Sequence, residues 1–215
     1  MEAIAPTAVD FWDARYEDEG YAYGTEPNAY FRQQLDALPP GRLLLLAEGE
    51  GRNAVYAAKR GWQVTAVDFS DEGRAKAHRL AAAQGVRLTY QVADLTDLAW
   101  QRPGYYDAVG LIYAHLVPPH RQAVHAAAAA SLVPGGHLIL EAFSPRQLGL
   151  SSGGPRIAEM LYEPADLAAD FADLTLLENK ALGVVLHEGS FLDGPANVVR
   201  LRATRNANTE PDYSI

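Results

Sequence analysis

The stretch LLLLAEGEGRNAVYAAKRGWQVTAVDFS, residues 43–70, decides the fold. Its apolar run Leu43 to Ala47, bounded by Pro39-Pro40-Gly41 and by Gly49, suits a strand buried on both faces. Good helix formers from Arg52 to Arg60 stop at Gly61, and the run Gln63 to Val67 then reads as a second strand ending in Asp68. Outward from this unit the alternation continues. Ser70 caps a helix through Asp71 and Glu72 to Gln84, with Gly85 as its stop, and Val86 to Val92 is a third strand. Tyr106 to Tyr113 reads as a fourth strand, Pro119 to Leu132 as a helix, and His137 to Phe143 as a fifth strand. Strands alternating with helices imply a parallel sheet covered on both faces, with a ligand crevice at the carboxyl ends of the strands. After Phe143 the pattern changes. Ser144 to Tyr162 is rich in Gly, Ser and Pro, and Pro164 to Phe171 is a short helix. Leu174 to His187 and Asn197 to Thr204, linked through Gly189 to Pro195, form an antiparallel hairpin at one edge.

The 215 residues make one domain, expected over 1–205, with an amino-terminal cap over about 1–38 and a flexible polar tail over 206–215. Hydrophobic residues are 48% and charged residues 21%, enough apolar mass for a sizeable core. A net charge of −9 disfavours a sequence-independent hold on nucleic acid or on an anionic membrane and favours small substrates. The absence of cysteine excludes disulfides, thiolate metal sites and cysteine nucleophiles, and fits a reducing, cytoplasmic location. The acidic opening does not read as an export signal, and no apolar run approaches the roughly 20 residues of a membrane span. His78, His120 and His125 make no metal cluster with Asp or Glu, so no metal is expected.

Chemistry concentrates at the strand ends. Gly49-Glu50-Gly51-Arg52-Asn53-Ala54 follows a strand and opens a helix, the context that a GxGxx[GA] pattern requires. Gly49 and Gly51 let the backbone turn sharply and approach a ligand, while free helix-start N–H groups favour a carboxylate or phosphate. A plain tight turn is the competing reading. Asp68 at the end of the second strand suits the two hydroxyls of a ribose, against a capping or solvated carboxylate. Asp94, in Val92-Ala93-Asp94-Leu95, suits an adenine amino group, against an ordinary turn aspartate. Tyr113 and His115 follow the fourth strand and face the same crevice, where His115 orients a substrate, accepts a proton, or simply packs against a loop.

Taken together, the chain resembles class I S-adenosylmethionine-dependent methyltransferases, and within them the small-molecule branch of tellurite-resistance and thiopurine methyltransferases. Residues 43–70 are similar to that family's first two motifs, VADL to its adenine-side motif, YYDAVGLIYAHL to its fourth and LVPGGHLILEAFSP to its fifth strand. FWDARYEDEGYAYGTEPN resembles its amino-terminal cap, and RQLGLSSGGPRIAEMLYEPADLAADF its pocket cover. The chain departs from the pattern at Leu45 and Ala47, where many members carry an acid and a glycine, and at Leu192, where a histidine is common.

The resemblance implies a Rossmann-like three-layer α/β sandwich, with a mostly parallel seven-stranded sheet and an antiparallel C-terminal hairpin. It implies S-adenosylmethionine as cofactor and a small-molecule acceptor, possible soft acceptors being a thiol, selenium or tellurium species, in a monomer or homodimer. Asp68 takes the ribose. The main chain around Ala47, Gly49 and Gly51 takes the methionine end, with Glu48 for its ammonium. Asp94 takes the adenine edge, and Phe69 and Leu95 sandwich the ring. Glu50, Asn53, Ser70, Ala93, Ile112 and Tyr113 complete the implied cofactor contacts. His115 and Tyr23 are the catalytic candidates, and Trp12, Tyr21 and Tyr23 form a lid whose removal with residues 1–28 leaves the sheet folded. Two other functions stay open on the residues alone: a nicotinamide-dependent oxidoreductase, since a glycine turn and a strand-end acid serve NAD equally well, and a non-catalytic nucleotide sensor.

Overall fold

A computed structural model describes residues 8–207. Residues 1–7 and 208–215, the ends of the expected cap and tail, lie outside the described residues. The strands are β1 (Arg42–Leu46), β2 (Gln63–Asp68), β3 (Thr89–Val92), β4 (Tyr106–Ile112), β5 (Leu132–Phe143), β6 (Leu174–His187) and β7 (Asp193–Arg205). They form one sheet in the order β3-β2-β1-β4-β5-β7-β6. Pairings are parallel from β3 to β5, and β7 runs antiparallel to both β5 and β6. The helices are α1 (Ala8–Tyr16), α2 (Ala29–Leu35), α3 (Arg52–Lys59), α4 (Asp71–Ala83), α5 (His120–Ser131) and α6 (Pro164–Asp170). The expected three-layer α/β sandwich is the observed architecture.

The leucine run explains the layering. Leu44 and Leu46 join Val109, Leu111, Leu138 and Leu140 under α5 and α6, with Trp100 sealing that face. Leu43 and Leu45 point the other way, into a cluster with Phe31 and Leu35 of α2 and Ala54 and Ala57 of α3. All four leucines are at most 1% exposed, as a central parallel strand demands. Three strand starts differ from expectation. The fifth strand starts at Leu132 instead of His137, because Leu132 already pairs with Tyr106 of β4. The third strand starts at Thr89 instead of Val86, because Val86 and Leu88 pack against Val55, Leu80 and Ala81 of α3 and α4. The last strand starts at Asp193, earlier than Asn197, because β6 continues far enough to pair with it down to His187.

The turn after β1 is stabilised by its own acid. Gly51, at φ +85°, is the N-cap of α3 and has no side chain to bond the helix start. Glu48 supplies that bond: its Oε1 accepts from the Ala54 N–H at 2.7 Å and its Oε2 from Asn53 Nδ2 at 3.4 Å. Glu48 is thus turned into the start of the helix. Gly51 is also a packing glycine, since a Cβ there would lie 2.5 Å from the Ala77 Cβ of α4. It brings the two helices together.

The amino-terminal segment is built into the domain. Glu50, 3% exposed, accepts from Ala22 N–H at 3.1 Å and Tyr23 N–H at 3.3 Å, and pairs with Lys76 Nζ at 2.8 Å. Lys76 also donates to the Gly20 carbonyl at 2.5 Å. Asn53 Oδ1 accepts from Asn28 N–H at 2.9 Å, and Arg52 Nη1 donates to the Tyr23 carbonyl at 3.2 Å. Glu50 and Asn53, expected on the cofactor, therefore hold the cap. Residues 20–26 thus supply backbone partners to buried Glu50, Lys76 and Arg52, which keep their ion pairs with each other and with Glu188.

Two measurements check these assignments. Replacing Lys76 by Met strands the Glu50 carboxylate in the interior, and should lower unfolding free energy in urea by about 3–5 kcal/mol. Adding Glu50→Gln should recover part of that loss. For Glu48, burial outweighs its hydrogen bonds and pushes the carboxyl up to about 7. Its folded value exceeds its unfolded one, so its contribution is full below the ordinary value of 4.5 and is lost as pH rises through about 7. Relative to Glu48→Gln, the wild type should melt at its most favourable in acid and lose ground toward alkaline pH.

Candidate active site

Just past the carboxyl ends of β1 and β4 the backbone is unusually bent. Ala47 and Tyr113 hold left-handed conformations at φ +54° and +57°, beside Gly49 at +56°. Non-glycine residues adopt this region at a cost, and such costs cluster at functional sites. Ala47 shows that the departure from glycine changes the residue while keeping the turn.

Asp68 is the buried acid of this edge. Its Oδ2 accepts from Gly49 N–H and its Oδ1 from Ser70 N–H, both at 3.0 Å. Burial raises its pKa, against the lowering effect of these backbone bonds, and the nearby Asp13 adds to the rise. Ser70 Oγ accepts from Gly73 N–H at 2.9 Å, capping α4, and donates to Asp13 of α1. Phe69 is half-buried, whereas Leu95 is 5% exposed within the core beside Trp100, so the two expected walls of a ring slot differ in accessibility. Asp94 is exposed, and its Oδ1 accepts from both Thr96 N–H and Thr96 Oγ at 2.8 Å. Ala93 packs half-buried against the core, and its N–H donates to the Asp68 carbonyl at 2.9 Å.

Beyond β4 the structure assembles a polar cluster that the sequence reading missed. Ile112 is buried; Tyr113 stacks on Phe143 with ring centroids 4.8 Å apart and donates from Oη to Glu141 Oε1 at 3.1 Å. Asn28 Nδ2 also donates to Glu141 Oε1, at 2.6 Å, and to Glu188 Oε1 at 3.0 Å. The two acids are neutralised by Arg200 Nε on Glu141 and Arg52 Nη2 on Glu188, each at 2.5 Å. These partners come from the cap, β5, β7 and the loop after β6, separated by up to 160 positions, and no local pattern announces them. The Asn28 of TEPN was the one available signal, since a polar residue before a helix demands a partner.

His115 is not free to take a proton. Its Nδ1 hydrogen-bonds the Met160 carbonyl at 2.6 Å, and its Nε2 accepts from Phe143 N–H at 3.2 Å. Burial lowers its pKa to about 4, so the ring is neutral and both nitrogens are used. In this arrangement His115 fastens the segment after β5 to the strand end. Tyr23 receives Arg15 Nη1 on its Oη at 3.2 Å and packs near Trp12, Tyr16 and Phe191, with centroids 6.2–6.4 Å away. Arg15 lies 3.9 Å above the Phe191 ring. Trp12 and Tyr23 thus pack as an aromatic cluster with Phe191 of the loop after β6, whereas Tyr21 bonds the Lys76 carbonyl on the α4 side. Leu192, 4% exposed, packs with Phe143, Leu161 and Leu186. His125 pairs with Asp170 at 2.8 Å beneath α6, away from the crevice, and among the described residues no group of His, Asp and Glu is arranged to hold a metal ion. No described helix is long and apolar enough to cross a membrane.

The comparisons with known proteins agree with this geometry. The methyltransferase domain family matches residues 43–136. The chain is 30% identical over 183 residues to the ubiquinone biosynthesis O-methyltransferase of Xanthomonas euvesicatoria, covering 79% of this chain and 76% of that one. To its counterpart in Xanthomonas campestris it is 33% identical over 138 residues, covering 63% and 58%. Among solved structures, TehB from Haemophilus influenzae superimposes with a TM-score of 0.69 at 14% identity, over 92% of this chain and 67% of that one. A structure concerned with conversion of a disulfide bond into a thioacetal group during echinomycin biosynthesis superimposes at 0.72 with 21% identity, over 95% and 94%. These two likenesses concern the fold, while the family rests on the sequence relatives. With the glycine turn, the strand-end acid and the methyltransferase relatives in agreement, the nicotinamide reading loses its support, and the chain belongs to the class I S-adenosylmethionine-dependent methyltransferases.

Proposed function

We propose that this methyltransferase acts on a small, soft nucleophile, a thiol or a selenium or tellurium species, that attacks without giving a proton to the protein. The observation that carries the reading is the engagement of both His115 nitrogens, by Met160 and Phe143. The two acids of the same region, Glu141 and Glu188, are ion-paired with Arg200 and Arg52. The phenol of Tyr113 is raised well above its usual value by burial and then by Glu141 and Glu188, so it stays protonated.

The residues present fit S-adenosylmethionine. Asp68 is a buried carboxylate at the end of β2, with one backbone N–H on each oxygen and further lone pairs for a ribose diol. Gly49 has no room for a side chain, because a Cβ would lie 2.6 Å from the Tyr16 hydroxyl, so its bare backbone lets α1 pack against the turn. When bound, the cofactor would supply an electrophilic methyl group on a sulfonium, with a neutral thioether as the leaving group. The chain's contribution is alignment and exclusion of water. Ala47 and Gly49 present main chain to the methionine end, Asp68 holds the ribose, and Asp94 offers its carboxylate to the adenine edge. Trp12, Tyr16 and Tyr23 cover the reacting end. Proximity of this kind can supply about 7–11 kcal/mol at best.

The named O-methyltransferase relatives favour a second reading, a hydroxyl on an aromatic acceptor.

Labelled methyl transfer should appear on small thiols, selenite or tellurite and not on catechols or phenols, and the reverse pattern favours the second reading. With a thiol, the rate should rise with pH toward the acceptor's own pKa, near about 8.5 for an ordinary thiol. For the cofactor side, Asp68→Ala should weaken S-adenosylhomocysteine binding at least about tenfold in calorimetry, the value of a charge-assisted hydrogen bond. An unaltered affinity removes the ribose assignment.

A further inference from the structure

We propose that Tyr90 is a positioning residue for the cofactor, holding the Gly49 backbone in the conformation that keeps Asp68 aimed at its ligand. The inference rests on the assignment of the ribose to Asp68. Gly49 is at φ +56° with no side chain to limit its dihedrals, so its orientation depends on its hydrogen bonds. Its N–H donates to Asp68 Oδ2 at 3.0 Å, and its carbonyl accepts from Tyr90 Oη at 2.6 Å. The peptides on the two sides of this one glycine are therefore clamped by different strands.

The geometry makes Tyr90 suited to the task. It lies on β3, whose register sets it against Ala66 of β2, close to Asp68 on the same strand. Its ring packs at the edge of the cluster under α2 and α3, and His78 lies 6.2 Å from it, so the phenol reaches Gly49 from a fixed base. Burial, followed by the charges of Asp68 and Glu48, raises its pKa well above the usual tyrosine value, and the hydroxyl remains a donor. Without that donor the Gly49 carbonyl loses its side-chain partner, and the peptide after Gly49 is held less tightly. The partner of Asp68 then shifts with it, and cofactor binding has to bear the ordering that the free protein now provides.

Calorimetry with S-adenosylhomocysteine tests this on the full chain, alongside thermal melting. Tyr90→Phe keeps the ring and should raise the dissociation constant about three- to tenfold, while site-specific p-aminophenylalanine, which keeps a para donor, should restore most of the affinity. A role in packing alone would lower the melting temperature of Tyr90→Phe and leave the dissociation constant unmoved, which overturns the proposal. Failure of that variant to fold overturns it too, because the phenol would then be a determinant of the fold. Asp68→Asn separates the two claims. Weakened binding in Asp68→Asn beside normal binding in Tyr90→Phe refutes the role of Tyr90 alone, and normal binding in both refutes the ribose assignment beneath it.

Discussion

The carboxylate of Glu50 is the interaction on which the rest of the site depends. It sits in the glycine turn, at the start of α3, and is almost fully buried. Such a charge is tolerable only with partners, and it has three: Lys76 of α4 and the backbone N–H groups of Ala22 and Tyr23. One residue thereby joins the cofactor turn, the neighbouring helix and the amino-terminal segment. Because the segment is held there, Asn28 arrives at Glu141 and Glu188, and Tyr23 arrives beside Phe191. The cover and the crevice are parts of one polar framework, and a change in either is felt by the other.

Most of the fold was legible in the sequence because it is written in local patterns. Apolar runs bounded by Gly and Pro marked β1, β2 and β4, Ser70 marked the start of α4, and the two closing strands kept their alternation. The site was legible only in part. Backbone features, the turn after β1 and the acid at the end of β2, stand where strand ends put them. Side-chain direction does not follow from position in a motif. Glu48, Glu50 and Asn53 occupy the turn that faces a cofactor in such folds, yet each is turned toward the protein, as a helix cap or as an anchor for the cap. The histidine after β4 was read as chemistry because it follows a strand end, while the two backbone groups that occupy it come from Phe143 and Met160, on segments far along the chain.

The energetic character of the site follows from this arrangement. Its walls contain many ionisable groups, but most are matched with opposite charges or backbone donors, and burial keeps His115 and Tyr113 in their neutral forms. A site of this kind is preorganised and poor in proton-transfer groups, which suits a displacement whose leaving group departs uncharged. The left-handed backbone at Ala47 and Tyr113 adds local strain that the surrounding sheet restrains.

The placement of β7 between β5 and β6 bears on how the molecule comes together. An interior position in the sheet is filled by the last strand among the described residues, which also carries Arg200, the counter-charge to Glu141. During synthesis, β5 and β6 emerge before the strand that joins them, so the sheet has an open gap and an unneutralised acid until about residue 205 has left the ribosome. Completion of the domain is thus a late, long-range event, and the nascent chain presents bare strand edges to chaperones or to its neighbours until that moment.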